Sequence, residues 1–415
     1  MELLRLITTY VLAALLSTSA DAISPILIVP GVEGSQLYKK DSPCRNLFGI
    51  CPWKEAWLGA EACISISSVL KDLTLVHDSA RGSFQNQPGL AIKASGFGDT
   101  CKVEYLVANP IETSCSLQLP VGEYFHTLVK HFTALGYKRG QTIRSAPYDW
   151  RLSPAHLQAT GYYSNVKALI EKMYKDGGNK KVTLVAHSMG GPVTLYFLNN
   201  VVTQAWKDTY VNAFVTLAGA WSGGSVAVKA EVSGDVLDAL SSASVREICD
   251  FPNDIALRFR SAGRTFPSMA MLLPKPSVWG NKVLVTTPKR TYTANDYQAL
   301  FNDMGYPQAF NIYSGIASIN AGFPPPNVPT YCFYGTEVAT PESFVYGSGF
   351  PDSAPSQVIK GDGDGTVNRR SAEVCLKWKT QQQQPFGSSA FPGVDHVKMV
   401  KDSNVLRAVD RVVLN

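Results

Sequence analysis

The chain is 415 residues long, with 45% hydrophobic residues, 17% charged residues and a formal net charge of +5. That composition can bury a large core and excludes a disordered polymer. The positive excess is spread without a basic block, zinc-finger spacing or basic helix, so no nucleic acid is expected as a partner; it is compatible with an anionic lipid surface but reads better as ordinary solvated scatter.

Residues 1–22 combine Arg5, an apolar run from Leu6 to Leu16, and the small residues Ala20 and Ala22. The run is too short for a hydrocarbon core about 30 Å thick, so it reads as an export signal peptide. The rest, 23–415, reads as one domain. Its eight cysteines fit an oxidising compartment. No paired CxxC units occur and histidines number only six, so neither a metal site nor another cofactor is expected.

Ile23 to Val29 is a β-branched apolar run stopped by Pro30 and Gly31, the pattern of a buried strand ending in a tight turn. Residues 40–75 hold three cysteines, Trp53 and Trp57 without a clean period, and read as an inserted, cross-linked subdomain. Val121 to Leu135 and Tyr162 to Met173 have helical spacing; Lys181 to Ala186 and Val211 to Leu217 read as strands around a helix from Gly191 to Val202. This alternation implies an α/β fold with a mainly parallel sheet. Residues 222–280, with Phe266, Met269, Met271, Leu272 and Leu273, read either as a lid over a site or as a surface excursion. Val283 to Val285, Tyr331 to Tyr334 and Gln357 to Ile359 read as late core strands, and Val405 to Val413 as a closing helix.

The chemistry concentrates at Val185-Ala-His-Ser-Met-Gly-Gly-Pro192, between strand and helix. A serine on such a strained turn needs small residues two before and two after it, and Ala186 and Gly190 occupy those places. Ser188 is thus the expected nucleophile of an α/β-hydrolase fold. The Met189 amide is one expected oxyanion donor, and Val32, in the Gly31–Gly34 loop, supplies the other. Chain order then requires an acid and a histidine downstream. His396 lies before the last helix, whereas His77, His126, His131 and His156 precede the serine and His187 adjoins it. Asp362 and Asp364 share one glycine-rich loop and both suit the acid role. That loop also resembles a calcium loop, but Val367 stands where calcium binding requires glycine.

These motifs together resemble the lecithin–cholesterol acyltransferase family, most nearly its lysosomal phospholipase branch. The resemblance rests on Ile28-Val-Pro-Gly31 with Gly34-Ser-Gln-Leu37, Tyr124-Phe-His-Thr127, Ala146-Pro-Tyr-Asp-Trp-Arg151, Gln204-Ala-Trp-Lys207 and Gly361-Asp-Gly-Asp-Gly-Thr-Val-Asn368. It implies Ser188, Asp364 and His396 as the triad and the Val32 and Met189 amides as oxyanion donors. It also implies a Cys332–Cys375 disulfide and a membrane-binding subdomain closed by Cys44–Cys63 or Cys51–Cys63. The implied activity is phospholipase A and O-acyl transfer from glycerophospholipids to water or a lipid alcohol, at a phospholipid membrane or lipoprotein surface. Trp57 and Trp221 are then either substrate-lining or core residues. The implied location is the lysosome or the extracellular fluid. Competing readings are a phosphatidylcholine–sterol acyltransferase, a soluble carboxylesterase and an inactive lipid-binding protein.

Overall fold

The computed structural model describes residues 23–44, 51–57, 59–107, 122–234 and 255–414, apart from the side chains of 60–64. The export signal expected at 1–22 lies outside these residues.

Six parallel strands form the central sheet: β1 (Ile26–Val29), β2 (Ile143–Ser145), β3 (Val182–His187), β4 (Val211–Leu217), β5 (Thr330–Thr336) and β6 (Phe386–Pro392). Their order is β6-β5-β4-β3-β1-β2, every neighbouring pair being parallel. Parallel strands need crossovers, and the crossover helices cover both faces. Side chains alternate accordingly. Leu27, Val29, Leu184 and Phe214 join one core, with the helices Tyr162–Asp176 and Gly190–Asn200. Ile26, Ile28, Val185 and Val215 join the other, with His126–Ala134 and Ser403–Val413.

The closing helix shows the local logic. Val405, Val409, Val412 and Val413 make its buried stripe, and the Asp402 carboxylate caps the amides of Asn404 and Val405. Such a cap is worth about 1 kcal/mol.

Two expectations change. Val283 to Val285 and Gln357 to Ile359 are strands, but they belong to a separate four-stranded sheet with Thr291–Thr293 and Thr340–Val345. That sheet has its own core, built on Leu284, Tyr292 and Phe344. The last central strand is instead Phe386–Pro392, whose FGSSAFP sequence lies at the sheet edge.

The cross-linked region pairs the strand Lys54–Trp57 with Leu37–Asp41, which also pairs with Leu90–Ala94 beyond residue 75. A helix, Ala60–Leu73, follows it. The disulfide there joins Cys44 to Cys51, correcting both expected pairings with Cys63. A bond across seven residues closes a local hairpin; the family-based expectation failed because this chain's cysteine spacing is its own. Cys332–Cys375 forms as expected. Within 222–280 the described helices are Ser225–Ser233, Ile255–Gly263, Pro267–Met271 and Pro276–Trp279; residues 235–254 lie outside the description.

Candidate active site

Strand β3 ends at His187, the helix begins at Gly190, and Ser188 between them has φ of 54°. A non-glycine residue in the left-handed region is strained, and here the surroundings enforce it. The Ser188 amide donates to the Leu217 carbonyl at 2.9 Å, and the Ser188 carbonyl accepts from Gly191 at 3.0 Å. A Cβ on Gly190 would lie 2.5 Å from the Val29 carbonyl and 2.6 Å from that of Pro30. Backbone cannot yield there, so glycine is obligatory, whereas the methyl of Ala186 fits in the core.

Ser188 Oγ lies 2.9 Å from His396 Nε2, and His396 Nδ1 lies 2.7 Å from Asp364 Oδ2. With Nδ1 protonated toward the carboxylate, Nε2 is free to accept the serine proton. The other oxygen of Asp364 accepts from the amides of Thr366 at 3.0 Å and Val367 at 2.7 Å, so the buried carboxylate is held from both sides. Asp362 points elsewhere: it accepts from the Glu337 amide at 2.6 Å and pairs with Arg369 at 3.0 Å. The two aspartates that sequence reasoning left level are therefore separated by geometry.

The amides of Val32 and Met189 donate to no acceptor among the described residues. The neighbouring Gly31 amide is occupied, donating to the Tyr124 hydroxyl at 3.0 Å. Tyr124 in turn donates to His187 Nδ1 at 2.6 Å, and His187 Nε2 donates to the His396 carbonyl at 2.9 Å. Burial drives the His187 imidazole far below its ordinary range, so it stays neutral and can donate at one nitrogen while accepting at the other. One buried chain thus links the Gly31–Gly34 loop, the residue before Ser188 and the backbone of His396.

Ser188, His396 and Val32 open onto a cavity of about 930 Å³, walled by apolar residues including Leu106, Val226, Met269 and Leu272. A second cavity, about 480 Å³, adjoins it and is lined by Trp57, Trp150, Phe259 and Phe266. Trp57 lies in the wall of this second cavity, beside Trp150 at 5.4 Å between ring centroids. Trp221 does not. It is buried under the elbow helix, edge-on to Trp378 at 4.7 Å and packed against Gly191 and Gly219. Among the described residues no cluster suits a metal ion.

The lecithin:cholesterol acyltransferase family model matches residues 53–318 and 316–403. The human lysosomal phospholipase A and acyltransferase is 35% identical over 94% of this chain and 90% of its own length. The chicken phosphatidylcholine-sterol acyltransferase is 34% identical over 91% of this chain and 87% of its own. The chain belongs to the lecithin:cholesterol acyltransferase family. A solved structure, the Tle4–Tli4 complex, overlays with a TM-score of 0.54 at 13% identity, covering 94% of this chain and 98% of that one. That likeness concerns the fold alone, which is an α/β-hydrolase with a parallel central sheet.

Against this family background, sequence reasoning missed two polar residues at the site. Tyr124 was visible only as part of a motif, without a role. Glu33, in the oxyanion loop with φ of 61°, lines both cavities, and nothing in local pattern marks it.

Proposed function

We propose that this family member is a serine-dependent phospholipase A and O-acyltransferase acting on glycerophospholipids. The observation that carries this reading is the hydrogen-bonded line from Asp364 through His396 to Ser188, opening onto an apolar cavity. His396 takes the Ser188 proton as the oxygen attacks an ester carbonyl. The Val32 and Met189 amides receive the developing oxyanion, a stabilisation worth about 3 kcal/mol per donor. His396 then protonates the departing lysolipid alkoxide, leaving an acyl-enzyme, while Asp364 orients the imidazolium. Water or a lipid alcohol, deprotonated by the same histidine, takes the acyl group.

The acyl chain leaves water for the cavity, at about 0.8 kcal/mol per methylene. Delivery calls for a lipid surface, a membrane or lipoprotein. The cross-linked hairpin supports this: Trp53 sits between Lys40 and Lys93, 4.8 and 4.3 Å from its ring centroid, pairing an interfacial aromatic with two cations. No described helix is long and apolar enough to cross a membrane. The disulfides Cys44–Cys51 and Cys332–Cys375 support an exported protein, of the lysosome or the extracellular fluid. Similarity to the sterol acyltransferase supports a second reading, in which a sterol takes the acyl group.

Mixed phospholipid vesicles, with and without a long-chain alcohol or sterol, test both readings by product. Free fatty acid and acylated alcohol should form with wild type and vanish with Ser188→Ala. Equal turnover by the two proteins would remove the nucleophile from the scheme, and sterol ester as the dominant product would favour the second reading.

A further inference from the structure

The two cavities share three wall residues, Glu33, Ala230 and Met269. Two are apolar and one is a carboxyl. Among the described residues the Glu33 carboxyl has no hydrogen-bond or ion-pair partner, so its desolvation is not offset within the protein. Burial pushes it up to about 8, so it is a neutral acid, able to donate, at acidic and neutral pH. Half-buried at the cavity wall, it faces the space of both cavities, and a lipid that fills them replaces solvent as its partner.

A diacyl glycerolipid has the matching shape. Its two esters are attached to adjacent glycerol carbons, so with one ester carbonyl at Ser188 the other ester starts from the next carbon, where the two chains diverge toward two voids. We propose that Glu33 is a specificity-determining residue whose carboxyl donates a hydrogen bond to the carbonyl oxygen of the ester that is not cleaved. The site therefore prefers diacyl lipids over those with an ether link at the neighbouring carbon, which lack that carbonyl. This rests on the phospholipase reading above.

The test compares release of one acyl chain from diacyl phosphatidylcholine and from its two mono-ether analogues, with the ether at either neighbouring carbon, in vesicles of otherwise equal composition. Wild type should favour the diacyl lipid by about 5-fold in kcat/KM, the worth of one neutral hydrogen bond. Glu33→Gln, which keeps a donor, should preserve the ratio; Glu33→Leu should bring it close to one. Glu33→Met replaces the leucine variant should that fail to fold. Reaction with a serine-directed fluorophosphonate reports whether each variant's triad is intact. A wild-type ratio of one, or a preserved ratio in an intact leucine or methionine variant, overturns the assignment while leaving the phospholipase standing. Absence of hydrolysis of any of these lipids by a fluorophosphonate-reactive wild type overturns both.

Discussion

Replacing Tyr124 by Phe removes one oxygen and strands two buried groups. The hydroxyl accepts from the Gly31 amide at 3.0 Å and donates to His187 Nδ1 at 2.6 Å, and no water-filled alternative is needed while it is present. Each orphaned group costs about 1–3 kcal/mol, so about 3 kcal/mol in total is a conservative expectation. At about 2 cal/mol/K per residue, a chain of this length would melt about 4 °C lower. Activity should fall separately. Gly31 precedes Val32, and loosening it lets the oxyanion amide drift; a tenth to a hundredth of wild-type kcat is expected, from the roughly 3 kcal/mol attached to one donor. KM should change little, because the donor acts on charge that develops only in the transition state. Thermal melts and initial rates on phospholipid vesicles read both effects. A Tyr124→Phe protein with wild-type melting and wild-type kcat would show that this hydroxyl organises nothing.

Other substitutions probe the remaining links. Asp364→Asn should lower kcat by about 10⁴-fold by disturbing the imidazole tautomer, while Asp362→Asn, on the surface ion pair, should stay within a few-fold in the same assay. Glu231, buried beside the second cavity, has its carboxyl raised to about 7 by burial, opposed by Arg264. Because its ionised form is the one disfavoured in the fold, its penalty is absent below about 4.5 and grows as pH rises toward 7, reaching about 3 kcal/mol. Denaturant midpoints of wild type should therefore drop between pH 5 and pH 8 more than those of Glu231→Gln. Loop-closure entropy makes Cys332–Cys375, with a separation of 43, worth about 4 kcal/mol and Cys44–Cys51, with a separation of 7, about 2 kcal/mol. Melts of the paired Ala variants should rank them in that order.

The elbow was legible because steric crowding restricts its residues: at Gly190 two carbonyl oxygens exclude any side chain, and that exclusion is written as a glycine. The inner strands were legible because both faces of a parallel sheet are covered, which demands runs buried at every position, such as Val182–His187. Phe386–Pro392 escaped because an edge strand need bury little, and its sequence shows little. Val283–Val285 and Gln357–Ile359 show the complementary failure: local pattern identifies a strand but not the sheet it joins. Asp364 could not be separated from Asp362 by residue type, since what separates them is which carboxylate meets His396 after the turn through Gly365. Trp221 stayed open between cavity wall and core because a large apolar ring suits both equally well. Size and hydrophobicity do not encode direction.

The second cavity also explains why two excursions far apart in sequence belong to one site. Its walls come from the hydrolase core through Glu33 and Trp150, from the first excursion through Trp57, Leu70 and Leu73, and from the second through Phe259, Phe266 and Met269. The excursions are fastened to each other: the Leu75 amide donates to Thr265 Oγ1 at 3.0 Å, and Arg258 donates to Ser67 Oγ at 2.5 Å. Arg151 fastens the first of them to the core. Fully buried, it holds Asp149 through two nitrogens at 2.9 and 2.6 Å and donates to the Leu73 carbonyl at 2.9 Å and to Asn86 at 2.8 Å. A charge that deep is tolerable only when it is paired and each of its nitrogens is hydrogen-bonded, and the geometry meets both conditions. Any widening of the second cavity that carried Leu73 away from the core would break the bond from Arg151, leaving a buried guanidinium donor unmet. Room for a larger chain is therefore more readily made on the Phe259–Met269 side, where the wall meets the core through apolar packing and a neutral backbone bond, from the Ser268 amide to the Arg151 carbonyl at 3.2 Å, rather than through a buried charge.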